Sequence, residues 1–144
     1  MAAWLLMAHR VPRDPTVHRV GVWRKLKRLG AVLIHDSVWV LPANARTREH
    51  FRWLAAEVEE AGGEAVIWES STLVHGDEDD LRRHFLEQVE PGYSELLGEL
   101  KKHPDDVEPL ARRYRQLKDQ DYFDSAVGHR VRDALMAAKG VPRK

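Results

Sequence analysis

Four short apolar runs alternate with two amphipathic segments in the first seventy residues of this chain, and that switching of period most narrows what it can fold into. Residues 4–8 are continuously apolar and are closed by Pro12, the pattern of a buried central strand. Asp14, Pro15 and Thr16 then read as a helix start, with an N-cap residue ahead of a proline at the first helical position, and Gly30 reads as its stop. On the wheel of residues 15–29, His18, Val22, Trp23, Leu26 and Leu29 form one stripe, while Arg24, Lys25, Lys27 and Arg28 lie on the opposite arc. Arg19 falls among the core positions, where a carboxylate partner is expected for it. Residues 31–35 and 38–41 are β-branched runs around His35-Asp36-Ser37, consistent with a tight hairpin or one long bent strand. Thr47 is a fitting N-cap for a second helix with Phe51, Leu54, Ala55 and Val58 at core spacing; Gly62-Gly63 ends it, and residues 65–68 supply a last strand.

The order β-α-β-β-α-β predicts an α+β fold of the ferredoxin-like kind, with both helices on one face of an antiparallel sheet. After Gly76 the texture turns helical, with breaks expected at Pro91-Gly92, at His103-Pro104-Asp105 and near Asp124-Ser125, hence four segments. The predicted organisation is a basic ferredoxin-like domain over 1–75 and an all-helical C-terminal extension over 76–144 packed on it. With 43% hydrophobic residues and five tryptophans in 144 residues, there is enough apolar surface for a core. Each tryptophan lies on a proposed core element, so burial or an interface is the expected role, and base stacking would require an aromatic beside the basic arc. Trp53 sits off its helix's apolar stripe and is expected to meet a partner protomer or a tail helix.

Charge is segregated along the chain. The first 35 residues carry seven basic side chains against Asp14 alone, and the remainder carries 16 basic against 22 acidic, so a zero net charge divides into a cationic head and an anionic body. That separation points to a polyanionic partner, nucleic acid first. Absence of cysteine removes disulfides, thiolate metal sites and cysteine nucleophiles, and no stretch reads as a signal peptide or membrane span, so a cytoplasmic location is expected.

Several runs carry a resemblance over most of the chain: Trp4-Leu5-Leu6, residues 11–16 (VPRDPT), residues 22–31 (VWRKLKRLGA), residues 37–42 (SVWVLP), residues 46–51 (RTREHF), Trp53-Leu54-Ala55, residues 62–65 (GGEA), Phe85-Leu86 and Pro91-Gly92-Tyr93. In these the chain resembles the N-terminal domain of the ChrB family of chromate-resistance regulators, and the fold resembles the central domain of PaaX-type repressors and the small CRISPR-adaptation nucleases. The resemblance implies a DNA-binding transcriptional regulator of a chromate-resistance or efflux operon. The partners implied are double-stranded DNA, a second copy of the chain, and either chromate as effector or a separate sensing domain of the kind longer members carry.

The expected DNA-binding residues are Arg24, Lys25, Lys27, Arg28, Arg13 and Arg10. A helix of this length extends about 22 Å, enough for its basic arc to follow several phosphates. His9, Arg13 and His18 gather where strand one hands over to helix one, which makes them candidates for a small oxyanion, although Asp14 at the cap would oppose one. No catalytic residue, metal site or cofactor is expected. The nuclease-type site would need a carboxylate at the end of strand one, where this chain has His9 and Arg10, and Asp36 reads as a turn former. The histidines show no zinc-binding pair. Arg112, Arg113, Arg115 and Lys118 form a second basic group, flanked by Asp105, Asp106, Glu108, Asp119 and Asp121, and internal ion pairs are expected to neutralise it. A protein-interaction module working with a separate sensing subunit is the alternative to DNA binding.

Overall fold

The computed structural model describes residues 3–36, 38–71 and 73–140, and in it the chain divides into two compact units, Met1–Glu78 and Asp79–Lys144. Among the described residues there are four strands and five helices. The first unit runs β1 (Trp4–Arg10), α1 (Thr16–Leu29), β2 (Val32–Ile34), β3 (Val38–Pro42), α2 (Ala45–Glu60) and β4 (Glu64–Ser70). The strands form one antiparallel sheet in the order β2-β3-β1-β4. Each helical crossover thus skips one place: β3 fills the gap between β1 and β2, and β1 the gap between β3 and β4.

Pairing fixes which side chains share a face. Met7 stands opposite Trp39 and Ile67, and Leu5 opposite Leu41 and Glu69, whereas Leu6 stands opposite Val40 and Trp68 on the other face. The two inner strands are buried on both sides along much of their length, with Trp4, Leu5, Met7, Trp39, Val40 and Leu41 all in the core. This is why their sequences read as unbroken apolar runs. Edge strand β4 keeps Val66 and Trp68 exposed.

The β2–β3 link is the hairpin, not the bent strand: Ile34 pairs with Val38, and His35 and Asp36 turn the chain at φ of 52° and 60°. Aspartate tolerates this left-handed conformation better than most residues, so the turn-former reading of Asp36 holds. Ser37, the third residue of that loop, lies outside the described residues. The N-cap of α2 lies three residues before the expected one. Asn44 is the N-cap; its side chain accepts from the Thr47 N–H at 2.9 Å while the Thr47 hydroxyl accepts from the Asn44 N–H at 2.9 Å. Thr47 is the third helical residue of a reciprocal capping box, and it is buried. Phe51, Leu54 and Val58 bury the helix as their spacing predicts.

The second unit holds α3 (Glu78–Lys102, whose first residue belongs to the first unit), α4 (Val107–Gln120) and α5 (Ala126–Ala138). Three helices stand where four were expected, because α3 passes through Pro91-Gly92 without a break. Proline removes one backbone donor and opposes helix, but Val89, Tyr93, Leu96 and Leu100 form one continuous buried stripe on either side of it, and that burial outweighs the local penalty. Gly92 serves packing here: a Cβ on it would stand 2.8 Å from a methyl of Leu117 in α4. Leu110, Ala111, Val131 and Leu135 complete this core. Arg113 reaches Glu99 at 2.9 Å and Glu95 at 3.7 Å, and Lys118 reaches Asp124 at 4.0 Å, so these cations pair across elements instead of with the acids flanking them on α4.

Candidate nucleic-acid interface

Helix α1 is anchored by a narrow line, since only Val22 and Leu26 are buried on it. The remaining turns therefore show two flanks to solvent. His18 and Trp23, expected in the core, are both exposed, and Arg19 is exposed and meets no carboxylate among the described residues. The cause is the width of the stripe: two buried contacts a turn apart leave positions one step to either side in water. Nor does Asp14 cap the helix; Pro15 occupies the N-cap, and no side chain closes the first turn. The charge of Asp14 is therefore not spent on the first-turn N–H groups.

On one flank Arg19, Val20, Trp23 and Arg24 face a groove of about 1230 Å³ whose other wall comes from His9 to Arg13 at the end of β1 and from Leu33, Asp36 and Trp39. At this end β1 and β4 close tightly, and Gly62 and Gly63 belong to the lining as well. Arg10 pairs with Glu64 in the register, and a Cβ on the preceding Gly63 would stand 2.1 Å from the Arg10 carbonyl oxygen. On the other flank Lys25 and Arg28 line a smaller hollow with His50, Trp53, Glu57 and Glu60 of α2.

The six expected contact residues are thus divided. Arg10, Arg13 and Arg24 line the first groove. Lys25 is ion-paired with Glu57, with both side chains partly exposed, and Arg28 shares its hollow with the same carboxylates. Lys27 is exposed and lines neither. Arg10 lies 3.6 Å from Glu64, but both side chains are largely in water, where such a pair holds weakly. Among the described residues, Arg13, Arg19, Arg24 and Lys27 have no ion-pair partner.

Of the three candidates for a small oxyanion, His9 and Arg13 meet in the groove and His18 does not line it. Burial holds the His9 imidazole below its usual pKa of 6.5, and its Nδ1 is enclosed without a hydrogen-bond partner, so near neutral pH it offers a polar wall and little positive charge. Arg19 and Trp23 also line the groove, although the sequence pattern assigns both to the core side of the helix. Their one visible signal was position: four residues apart, at the margin of the apolar stripe, they stack on one flank of the helix. Among the described residues no three histidines or carboxylates gather as metal ligands, and no helix is long and apolar enough to cross a membrane.

The sequence profile of the family described as "Protein ChrB, N-terminal" matches residues 19–109. Protein ChrB of Cupriavidus metallidurans is 28% identical over 98 residues, which cover 68% of this chain and 30% of that protein. The chain thus aligns with under a third of the length of this curated relative. No solved structure matches it.

Proposed function

The chain belongs to the ChrB N-terminal family, and from that premise we propose that it is a DNA-binding regulator of a chromate-resistance operon. Arg24, Lys25, Lys27 and Arg28, with Arg13 and Arg10, supply the cations that hold the duplex backbone. The observation that carries this reading is that Arg13, Arg24 and Lys27 are exposed and have no ion-pair partner among the described residues, in a head region that the rest of the chain balances with acid. Phosphate contacts of this kind set affinity and register, while base-edge contacts set sequence preference. The element order and the antiparallel sheet support a ferredoxin-like assignment for the basic domain, taken over 1–75, with a helical extension over 76–144. A homodimer follows from the two-fold symmetry usual in operators. Chromate acts as effector either on this chain or on a separate sensing domain, and the protein works in the cytoplasm.

The test is a band-shift titration of the duplex lying upstream of the chain's own gene against a scrambled duplex of equal length, with and without chromate. Preference for the upstream duplex is the expected result; equal, weak binding of both overturns the reading. Trp53, 65% exposed beside a hollow that mixes Lys25 and Arg28 with Glu57 and Glu60, favours a second reading as an interaction module for a sensing subunit. Equal, weak binding in the titration is the outcome that reading expects.

A further inference from the structure

We propose that the groove between α1 and the end of β1 takes an unpaired stretch of nucleic acid, with a base stacked on Trp23 and the neighbouring phosphates held by Arg13, Arg19 and Arg24. This rests on the nucleic-acid reading above and adds to it a strand state and two residues, Arg19 and Trp23. A half-exposed indole is the first ground. Trp4 and Trp39 are 4% and 5% exposed, as a small core demands, whereas Trp23 is 53% exposed on a helix whose own buried line runs beside it. The core has therefore not claimed this ring, and a flat π-face in water is what a base stacks on.

The second ground is what surrounds the ring. Arg19 lies four residues before Trp23, about 6 Å along the axis, and Arg24 adjoins it, all three lining the groove, while Lys27, four residues after, lies beyond its lining. Within the groove the indole is thus flanked by the cations of Arg19 and Arg24. Across the groove stand Arg13 and Arg10, and the lining's one carboxylate is Asp36. Aromatic rings interleaved with arginines are the combination that binds single strands with little regard for sequence, through stacking and phosphate neutralisation together. An acidic protein segment would be served by the cations alone and would leave the ring unused.

Shape decides the strand state. The site is a concavity with Val20, Leu33 and Trp39 among its lining, and its volume is of the order of pockets that enclose small molecules. One strand with splayed bases fits into such a hollow. A duplex, which turns its bases inward and presents its backbone as a ridge, meets only the rim.

The experiment measures fluorescence anisotropy of labelled thymidine and uridine decamers, a duplex decamer and polyglutamate, with the full chain and its W23A and W23F variants. Either single strand binding the parent, weakening roughly tenfold with W23A and largely recovering with W23F, supports the inference, provided the duplex changes less than about twofold. Equal single-strand affinity for W23A and parent overturns it, as does an equal loss on single strand and duplex, or polyglutamate binding with the same dependence on Trp23. Those results leave duplex recognition standing. Failure of the parent to bind any nucleic acid, the upstream duplex included, overturns both readings.

Discussion

Gly21 and Gly63 show how much the surroundings of one residue matter. A methyl on Gly21, in the middle of α1, meets nothing within 4 Å, so Gly21→Ala exchanges backbone freedom in the unfolded chain for helix propensity. It should stabilise the protein by about 0.5–1 kcal/mol in chemical denaturation. The same methyl on Gly63 collides with the Arg10 carbonyl, and Gly63→Ala should cost about 1–3 kcal/mol by the overpacking it forces. Tyr93 gives a pH signature. Its hydroxyl, fully buried, donates to Asp121 at 3.0 Å, and burial together with that carboxylate pushes its pKa up from the ordinary 10.0. Above pH 10 the folded state keeps a proton that the unfolded chain has released, so stability from this group is complete below that pH and falls as pH rises beyond it. The alkaline limb of the denaturation midpoint plotted against pH should be shallower in Tyr93→Phe than in the parent; identical limbs would remove Tyr93 as a cause.

Element ends and faces account for what the sequence made legible. Asn44→Ala removes one half of the capping box that starts α2 and should cost about 1 kcal/mol by thermal or chemical denaturation. The strands were readable because β1 and β3 are buried on both sides and so carry no alternation, and α2 because Phe51, Leu54 and Val58 repeat at helical spacing. The apolar stripes of the tail were equally plain. What local pattern could not show was continuity: Pro91-Gly92 signals a break, and only the joint burial of Val89 and Tyr93 keeps α3 whole. Nor could the wheel of α1 tell a wide stripe from a narrow one. Trp23 and Arg19 sit one step from the buried line, and whether such positions are covered depends on what packs beside the helix. Half of the candidate site was therefore visible as a run of cations, while the groove that sorts them into two flanks comes from β1, the hairpin and Gly63, far apart in sequence.

At the level of the whole molecule, a net charge of zero conceals the feature that matters, the gathering of cations in the first 35 residues. Bound to a polyanion, such a face releases counterions, and affinity falls with salt in proportion to the phosphates it neutralises. If four contacts form, the slope of log K against log salt is about −3.6, and each contact removed reduces it by roughly 0.9. Arg24 and Lys27 have no ion pair to lose among the described residues, so reversing their charge leaves the fold intact and acts on the ligand. The most direct measurement of the central claim is the salt dependence of binding to the upstream duplex, for the parent and for the double variant Arg24→Glu, Lys27→Glu. A slope of about −3.6 for the parent, flatter by about 1.8 in the variant, is expected. A slope near zero for the parent, or one the variant leaves unchanged, would contradict the assignment of DNA binding to this face.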